Sequence, residues 1–402
     1  MTTAAAEAPA ETRHGHAGGF ALALTALLAM MAGASAPSPF YPVLEREIGF
    51  SPAMLTGIFA VYAVALLLTL LVTGSLSDHL GRRPVLSAAF ALLALSMLVF
   101  WHADTVTLLV LARVVQGIAS GLLLSTLSAA VVDLEPGGRP GLAATFNSVV
   151  PLAGLAVGAL VGGAVIDRAS SPLADVFGVL TGVYVVLALA LWLLPETSPR
   201  HSGVLASFRP TVGVPASARP AFARSAPALF AGWATGGLYL SLGAPIAGQE
   251  LGASSHLQQG LVVTTLTGVG ALSSFLARQR SSREITLYGT TALALGTALT
   301  LVALAAGSYW GFIAAAVVAG SGFGTSFLGI MRSITPVVAP DERGELFASV
   351  FVVSYLAFGI PAVVAGIAAP HVGLAATTYA YGGLVVVLSG TAALLRAFRS
   401  TD

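Results

Sequence analysis

About a dozen separate stretches of this chain are apolar for long enough to cross a bilayer, and this repetition constrains the fold more than any other feature. A helix rises about 1.5 Å per residue, so some 20 residues match roughly 30 Å of hydrocarbon. The runs lie at approximately 19–36, 52–73, 84–101, 105–131, 141–166, 173–194, 221–247, 257–277, 285–306, 309–333, 345–369 and 373–395. Composition agrees, with 56% hydrophobic residues, 9% charged residues and a mean hydropathy of +0.90. Soluble domains carry about 25% charged residues. With so few, the surface cannot be kept in water, and the expected surroundings are a lipid bilayer.

The first run admits a second reading. Phe20 to Ala34, followed by Ala34-Ser35-Ala36, has the form of a signal-peptide core with a small-residue cleavage site. However, Glu7 and Glu11 beside a single Arg13 make a poor basic leader, and removing the run leaves an odd number of spans. Residues 1–18 lack apolar periodicity and read as a disordered cytoplasmic tail.

Orientation follows from the arginines, which supply every Lys/Arg charge in the chain. With a cytoplasmic N-terminus, Arg46 and Arg168 alone fall outside, Arg113 lies inside a span, and all the others face the cytoplasm. Both termini are therefore expected in the cytoplasm. The longest polar connection, 195–220, is rich in Pro, Ser and Arg and suits a flexible linker. It divides the chain into an N-terminal six-helix unit, 19–194, and a C-terminal one, 221–396, with a short tail at 397–402. The halves echo each other. Pro136-Gly-Gly-Arg139 and Pro340-Asp-Glu-Arg343 occupy corresponding connections, each preceded by a helix with glycines four apart, Gly117/Gly121 and Gly320/Gly324.

Between spans two and three stands Gly74-Ser-Leu-Ser-Asp78-His-Leu-Gly81-Arg82-Arg83-Pro84. This stretch resembles motif A of the major facilitator superfamily (MFS), G-x-L-x-D-x-x-G-R-R. The resemblance implies an all-α membrane protein of two pseudo-symmetric six-helix bundles that works by alternating access. It also implies a latch, in which Asp78 and Arg82 link to Asp133 and Asp78 approaches the start of span eleven. The gating set is then Gly74, Asp78, Gly81, Arg82, Arg83 and Asp133, with Arg139 and Arg343 in the connections. The corresponding loop of the second half, Ala277 to Glu284, keeps positive charge but lacks the glycines and the aspartate.

Arg113 is the sharpest single residue, because a charge within a span is costly unless it meets a wet cavity or a partner. Leu111-Ala-Arg113-Val-Val-Gln116-Gly117-Ile-Ala-Ser-Gly121 resembles MFS motif B, whose arginine faces the central cavity in proton-linked members. The alternative is that Arg113 and Gln116 bond carbonyls and hold neighbouring helices together. Span five carries Gly154, Gly158, Gly162 and Gly163, a smooth stripe for close helix approach. It resembles motif C of the drug/proton antiporter group, with Ala159 in place of the motif's proline and Pro151 lying earlier. Tyr62, Asn147, Trp233, Tyr239 and Tyr355 fall near mid-span and are candidates for the cavity wall. One cation and several aromatics suit an amphipathic, neutral or weakly anionic small molecule.

Other chemistries find no support. A net charge of +1 offers nothing to nucleic acid. The 0 Cys exclude disulfides, thiolate metal sites and thiol nucleophiles. No nucleotide-binding or hydrolase motif is present, so no cofactor, no metal and no enzymatic activity is expected, and a monomer suffices. No acid lies clearly in mid-membrane, so proton coupling would need Asp104, Asp133, Glu250, His256 or His371. The expected function is export of a small amphipathic molecule by proton antiport. Alternatives are a sugar or metabolite transporter, an uncoupled facilitator, or a receptor or enzyme on the same scaffold. A reporter fused to the C-terminus should read as cytoplasmic; a signal from outside would break the span count.

Overall fold

In lipid, no water satisfies backbone N–H and C=O groups, so a spanning segment must bond to itself as a helix. The computed structural model describes residues 10–138, 141–198, 200–204, 208, 212–339 and 342–398, and shows this solution repeated along the chain. The long helices are α1 (Ala10–Ser35), α2 (Pro52–Thr73), α3 (Arg82–Trp101), α4 (Val106–Asp133), α5 (Leu142–Ile166) and α6 (Val179–Ala190, continuing a π-turn at Ala174–Gly178). The second half contains α7 (Arg219–Pro245), α8 (His256–Leu276), α9 (Ser282–Ala305), α10 (Tyr309–Ile334), α11 (Arg343–Val372) and α12 (Leu374–Ala397). Among the described residues, 11 helical stretches are both long and apolar enough to span. The remaining helix, α7, has 27 residues, but Arg219, Arg224 and its Ser, Thr and Gly content lower its hydropathy. Its second half is buried from Ala234 to Pro245, so it is lined by protein rather than lipid.

The two halves repeat one packing scheme. In the first, α1 packs on α5, α2 and α3 on α4, and α3 on α6. In the second, α7 packs on α11, α8 and α9 on α10, and α9 on α12. The halves meet where α2 lies against α11 and α5 against α8. Exchanging each helix for its counterpart six places along converts one of these junctions into the other, which is the mark of a pseudo-two-fold axis. The outer helices expose large apolar side chains, Leu95 and Leu98 on α3, Val186 and Leu189 on α6, Val302 on α9 and Val387 on α12. Such a surface requires a hydrocarbon solvent.

Three sequence expectations shift. Helix α1 begins at Ala10, so it runs into the stretch 1–18 read as a tail. After Ser35 the chain makes a short 3-10 turn, Ser38–Phe40, and a further helix, Tyr41–Ile48, where a plain connection was expected. Pro37, Pro39 and Pro42 account for the break, because proline lacks the N–H that would continue the ladder. The linker is docked at both ends. The Asp78 carbonyl accepts from His201 N–H and the Ser198 hydroxyl, and Ser349 on α11 donates to the Gly213 carbonyl at 2.6 Å. Arg139 lies outside the described residues.

Glycine decides which helices touch. A Cβ on Gly117 would stand 2.6 Å from the Tyr62 carbonyl, and one on Gly121 2.7 Å from the Leu66 carbonyl, so both seat α4 on α2. On α5, a Cβ at Gly154 would meet the Leu28 carbonyl at 2.5 Å and one at Gly162 the Ala36 carbonyl at 2.8 Å, while at Gly158 it would overlap the Ala32 carbonyl. Gly163 turns to the other half, where its Cβ would meet the His256 carbonyl at 2.5 Å. Replacing Gly158 by Leu should cost at least about 1–3 kcal/mol by overpacking. Gly182→Leu, with open space around it, should be neutral. Thermal unfolding in detergent checks the contrast.

Candidate functional site

Arg113 is the eighth residue of α4, placing it roughly 10 Å from the arginine-poor end of a 28-residue helix, about as far from that end as from the middle. It is fully buried at 0% exposure. Its Nε donates to the Tyr41 hydroxyl at 2.8 Å, its Nη2 reaches the same hydroxyl, and its Nη1 donates to Gln116 Oε1 at 2.6 Å and to the Ala34 carbonyl at 3.5 Å. Gln116 in turn donates to the Gly33 carbonyl at 2.8 Å. The rings of Tyr41, Tyr62 and Phe100 flank the guanidinium at 5.3–5.4 Å. Among the described residues no carboxylate pairs with it. An unpaired cation in low dielectric is costly, and here neutral acceptors and aromatic faces offset the cost. Arg113 therefore does not front an open cavity in this structure. It ties α4 to the end of α1 through the carbonyls of Gly33 and Ala34, and Tyr41 covers it.

Tyr62 connects this cation to the centre of the molecule. One side of its ring faces Arg113, and it belongs to a buried apolar cluster shared with Phe59, Tyr355 and Phe358. This cluster joins the two halves. Phe59 on α2 lies 4.8 Å from Phe358 on α11, and Trp233 on α7 stacks obliquely on Tyr355 at 5.0 Å and meets Phe358 and Phe327 edge-on at 6.0 and 5.9 Å. Trp233, Phe327 and Phe351 are only partly buried. Tyr62, Trp233 and Tyr355 each fall well inside their helices, so the aromatic set lies deep between the halves.

Two candidates lie elsewhere. Tyr239 is 3% exposed and packs on Phe312 inside the second half. Asn147 joins α5 to α4, its Nδ2 donating to the Ser128 carbonyl at 3.1 Å.

At the arginine-rich end, motif A forms a charge network. Arg82 pairs with Asp78 at 2.6 Å and with Asp133 at 3.3 Å, and donates to the buried Ser77 hydroxyl at 2.6 Å. Thr197 donates to the same Asp133 oxygen at 2.7 Å. The Glu196 carboxylate accepts from the N–H groups of Arg82 and Arg83 at the start of α3. Burial pushes the Glu196 carboxyl up, but the N–H bonds from Arg82, Ser198 and Arg83, with the nearby Arg200 charge, hold it below the usual carboxylate range. Gly81 is required twice: its φ is +108°, and a Cβ would lie 2.8 Å from that carboxylate. Gly74 ends α2, with room for no side chain beside the Leu70 carbonyl.

The network joins the first half to the start of the linker. Among the described residues, no hydrogen bond or ion pair joins Asp78 to α11, so the expected latch is not made in this conformation, in which the opposite mouth is the joined one. Helix α11 carries an acid of its own, Glu345, in its first turn. Arg343 opens that helix and is exposed.

The bonds that do cross between halves lie towards the opposite end and along α5 and α8, where Thr264 donates to the Ala156 carbonyl at 3.1 Å. Asp167, just beyond α5, accepts from the N–H groups of His256 and Leu257 at 2.9 and 2.8 Å and from the His256 ring at 2.9 Å. Ser38 donates to the Leu240 carbonyl at 3.0 Å. Burial pushes the Asp167 carboxyl up, but the Leu257 and His256 bonds outweigh it and hold the group below the usual range. A depressed carboxylate favours the joined form above its ordinary pKa, and that contribution is lost as pH falls through the depressed value. The arginine-poor mouth is therefore closed.

Sequence reasoning passed over Tyr41, Glu196, Thr197, Asp167, Phe59, Phe327 and Phe358. The N-cap position of α8 was the one available signal for Asp167, because Ser255 starts a capping box there and leaves the first N–H groups in need of an acceptor. Among the described residues no cluster of His, Asp and Glu could hold a metal ion. The arrangement instead offers a packed aromatic cluster where the two bodies meet, one buried cation beside it, a charge network at the arginine-rich face and polar bonds between the bodies at the other.

Comparison with known proteins gives the same picture. The chain is 26% identical over 163 residues to the multidrug resistance protein MdtL of Klebsiella pneumoniae, covering 39% of this chain and 40% of the relative. It is 27% identical over 161 residues to the uncharacterized transporter YebQ of Escherichia coli, covering 40% and 35%. A third relative, the uncharacterized MFS-type transporter Rv1250 of Mycobacterium tuberculosis, is 26% identical over 245 residues, covering 60% and 38%. In each case the chain spans well under half of the relative's length. The sequence profile of the Major Facilitator Superfamily matches residues 22–362, most of the chain. With twelve long helices among the described residues, arranged in two matching halves, and that profile along them, this chain belongs to the Major Facilitator Superfamily.

Proposed function

We propose that this transporter exports a small amphipathic molecule from the cytoplasm by alternating access, driven by inward proton flow. The arginine-rich face is cytoplasmic in this reading, both termini lie on that side, and the membrane is the cell membrane. The observation that carries it is the aromatic cluster of Phe59, Trp233, Phe327, Tyr355 and Phe358, built from both halves near mid-membrane. Because α2 contributes from one body and α7, α10 and α11 from the other, rocking opens the cluster to one face and then the other. Aromatic walls favour an apolar, flat ligand body. Arg113 behind Tyr62 biases the site towards neutral or weakly anionic molecules rather than cations. The name of MdtL supports a drug-like substrate class.

A second reading is an uncoupled facilitator. It is favoured by one fact, that every acidic residue lies in a tail, a connection or a helix end. Proteoliposomes carrying three fluorescent amphipathic dyes, one neutral, one anionic and one cationic, separate the readings. Antiport predicts uptake of the neutral or anionic dye that rises with an imposed pH gradient and dissipates that gradient. Flux indifferent to the gradient would establish the facilitator.

Within this assay, Trp233→Ala and Tyr355→Ala should each raise KM about tenfold, the scale of one lost aromatic contact. Arg113→Lys should keep part of the activity while Arg113→Ala loses it, since a lysine preserves the charge but not the forked hydrogen bonds. Near-wild-type rates in both Arg113 variants would show that the cation is peripheral to transport.

A further inference from the structure

Asp167 stands at an unfavourable end of its own helix. The C-terminus of α5 carries partial negative charge, so the carboxylate is repelled there and attracted across the gap by the N-terminus of α8. Two of the N–H groups that α8 cannot satisfy internally, those of His256 and Leu257, have Asp167 as their acceptor, while Ser255 serves the next. The helices can come this close because Gly163 and Gly260 lack side chains. A Cβ on Gly163 would meet the His256 carbonyl, and one on Gly260 the Ala159 carbonyl, each at 2.5 Å. Carboxylate and imidazole are 21% and 24% exposed, so water from that face reaches both.

We propose that Asp167 and His256 form a proton-responsive clasp on the outer mouth, in which a proton taken up by His256 from outside favours closure. The inference rests on the alternating-access reading and adds the group through which external pH acts. The sign follows from Coulomb's law. An imidazolium 2.9 Å from the carboxylate is attracted to it, and that attraction disappears when α5 and α8 part. A charged imidazole therefore favours the closed form through this contact. In an exporter this is the useful direction, because external protons then drive the empty carrier back towards the cytoplasm.

Few other charges compete. At the same end Arg168 is exposed and donates to the Ala164 carbonyl. The turn Ile246–Glu250 brings Glu250, α10 brings the Tyr309 hydroxyl, already donating to the Gln258 carbonyl at 2.8 Å, and α7 brings the buried Tyr239. The turn Ser38–Phe40 brings no titratable group. Among the described residues, Asp167 is the ion-pair partner of His256.

The chain has 0 Cys, so a single introduced thiol reports the gate directly. Thr264 on α8 is partly buried and donates to the Ala156 carbonyl of α5 at 3.1 Å, so a T264C thiol is reachable only when the two helices separate. Its labelling from outside by a membrane-impermeant maleimide is compared with that of S170C, an exposed position on the same face. The ratio removes the thiol's own pH dependence.

With His256 present, the ratio should fall about threefold between about pH 8 and about pH 5, the range in which an imidazole gains its proton. His256→Asn, which leaves both backbone bonds to Asp167 in place, should make the ratio independent of pH. Asp167→Asn should raise it roughly tenfold throughout, as charge-assisted bonds are lost. An unchanged pH slope in His256→Asn overturns the clasp, and this comparison decides alone if Asp167→Asn fails to reach the membrane. Labelling that is brisk but indifferent to pH with His256 present removes the clasp and leaves alternating access standing. No labelling in any variant removes both.

Discussion

Close approach of helix backbones is the constraint on which this molecule depends. In hydrocarbon, burying one apolar side chain against another gains little, because lipid is as apolar as leucine. Cohesion must come from dispersion at short range and from polar contacts shielded from lipid. The chain meets this requirement with glycine at the crossings. Gly117 and Gly121 seat α4 on α2, Gly154 and Gly158 seat α5 on α1, and Gly289, Gly296, Gly322 and Gly329 seat α9 and α10 on each other so closely that a Cβ at any of them would strike backbone. The junction between the halves uses the same device at Gly163, Gly260 and Gly366. It adds hydrogen bonds at the water-facing end, as at Asp167, and one between Thr264 and the Ala156 carbonyl deeper along the two helices.

Charge is distributed by the same logic. Arginines and acids sit at helix ends, where pairing costs little desolvation, and the one exception is surrounded by neutral acceptors and rings. Arg113 is held by Tyr41, Gln116 and the Ala34 carbonyl instead of by a carboxylate. A fixed ion pair there would be hard to break within low dielectric. A cation held by neutral groups keeps its net charge beside the Tyr62 ring. Tyr41, one of those groups, belongs to the segment Ser38–Ile48, which also contacts the second half through Ser38.

The architecture was legible in the sequence because its signals are one-dimensional. Span length, arginine bias and glycine spacing are each properties of consecutive residues, and they placed the helices to within a turn at most ends. Tyr62, Trp233 and Tyr355 lie in or against one cluster because depth along a helix can be read from position. The side of the helix could not. Most spans are apolar all round, so periodicity does not show which face meets protein, and Tyr239 and Asn147 were assigned to the cavity although both face neighbours in their own half. Pairings between distant segments were equally hidden. Nothing near Gly81 indicates that Glu196 fills the space beside it, and nothing near Asp167 names residue 256. The reach of α1 to Ala10 was missed for a related reason, since Glu11, Arg13, His14 and His16 break the apolar pattern without breaking the helix.

The two halves share a packing scheme but not a charge pattern. In the first half, Arg82, Asp78, Asp133 and Glu196 balance positive against negative around the start of α3. In the second, among the described residues, the equivalent connection has no such network. Arg278 lies over Phe275 at 4.1 Å, Arg332 donates to the Arg278 carbonyl, and α9 begins with the self-contained capping box of Ser281 and Glu284. The second loop therefore satisfies its arginines with carbonyls and a ring, while the first pairs its charges with carboxylates. The first half thus carries a paired network at its arginine-rich face and, at the far end of α5, the aspartate whose carboxylate accepts from the first N–H groups of α8.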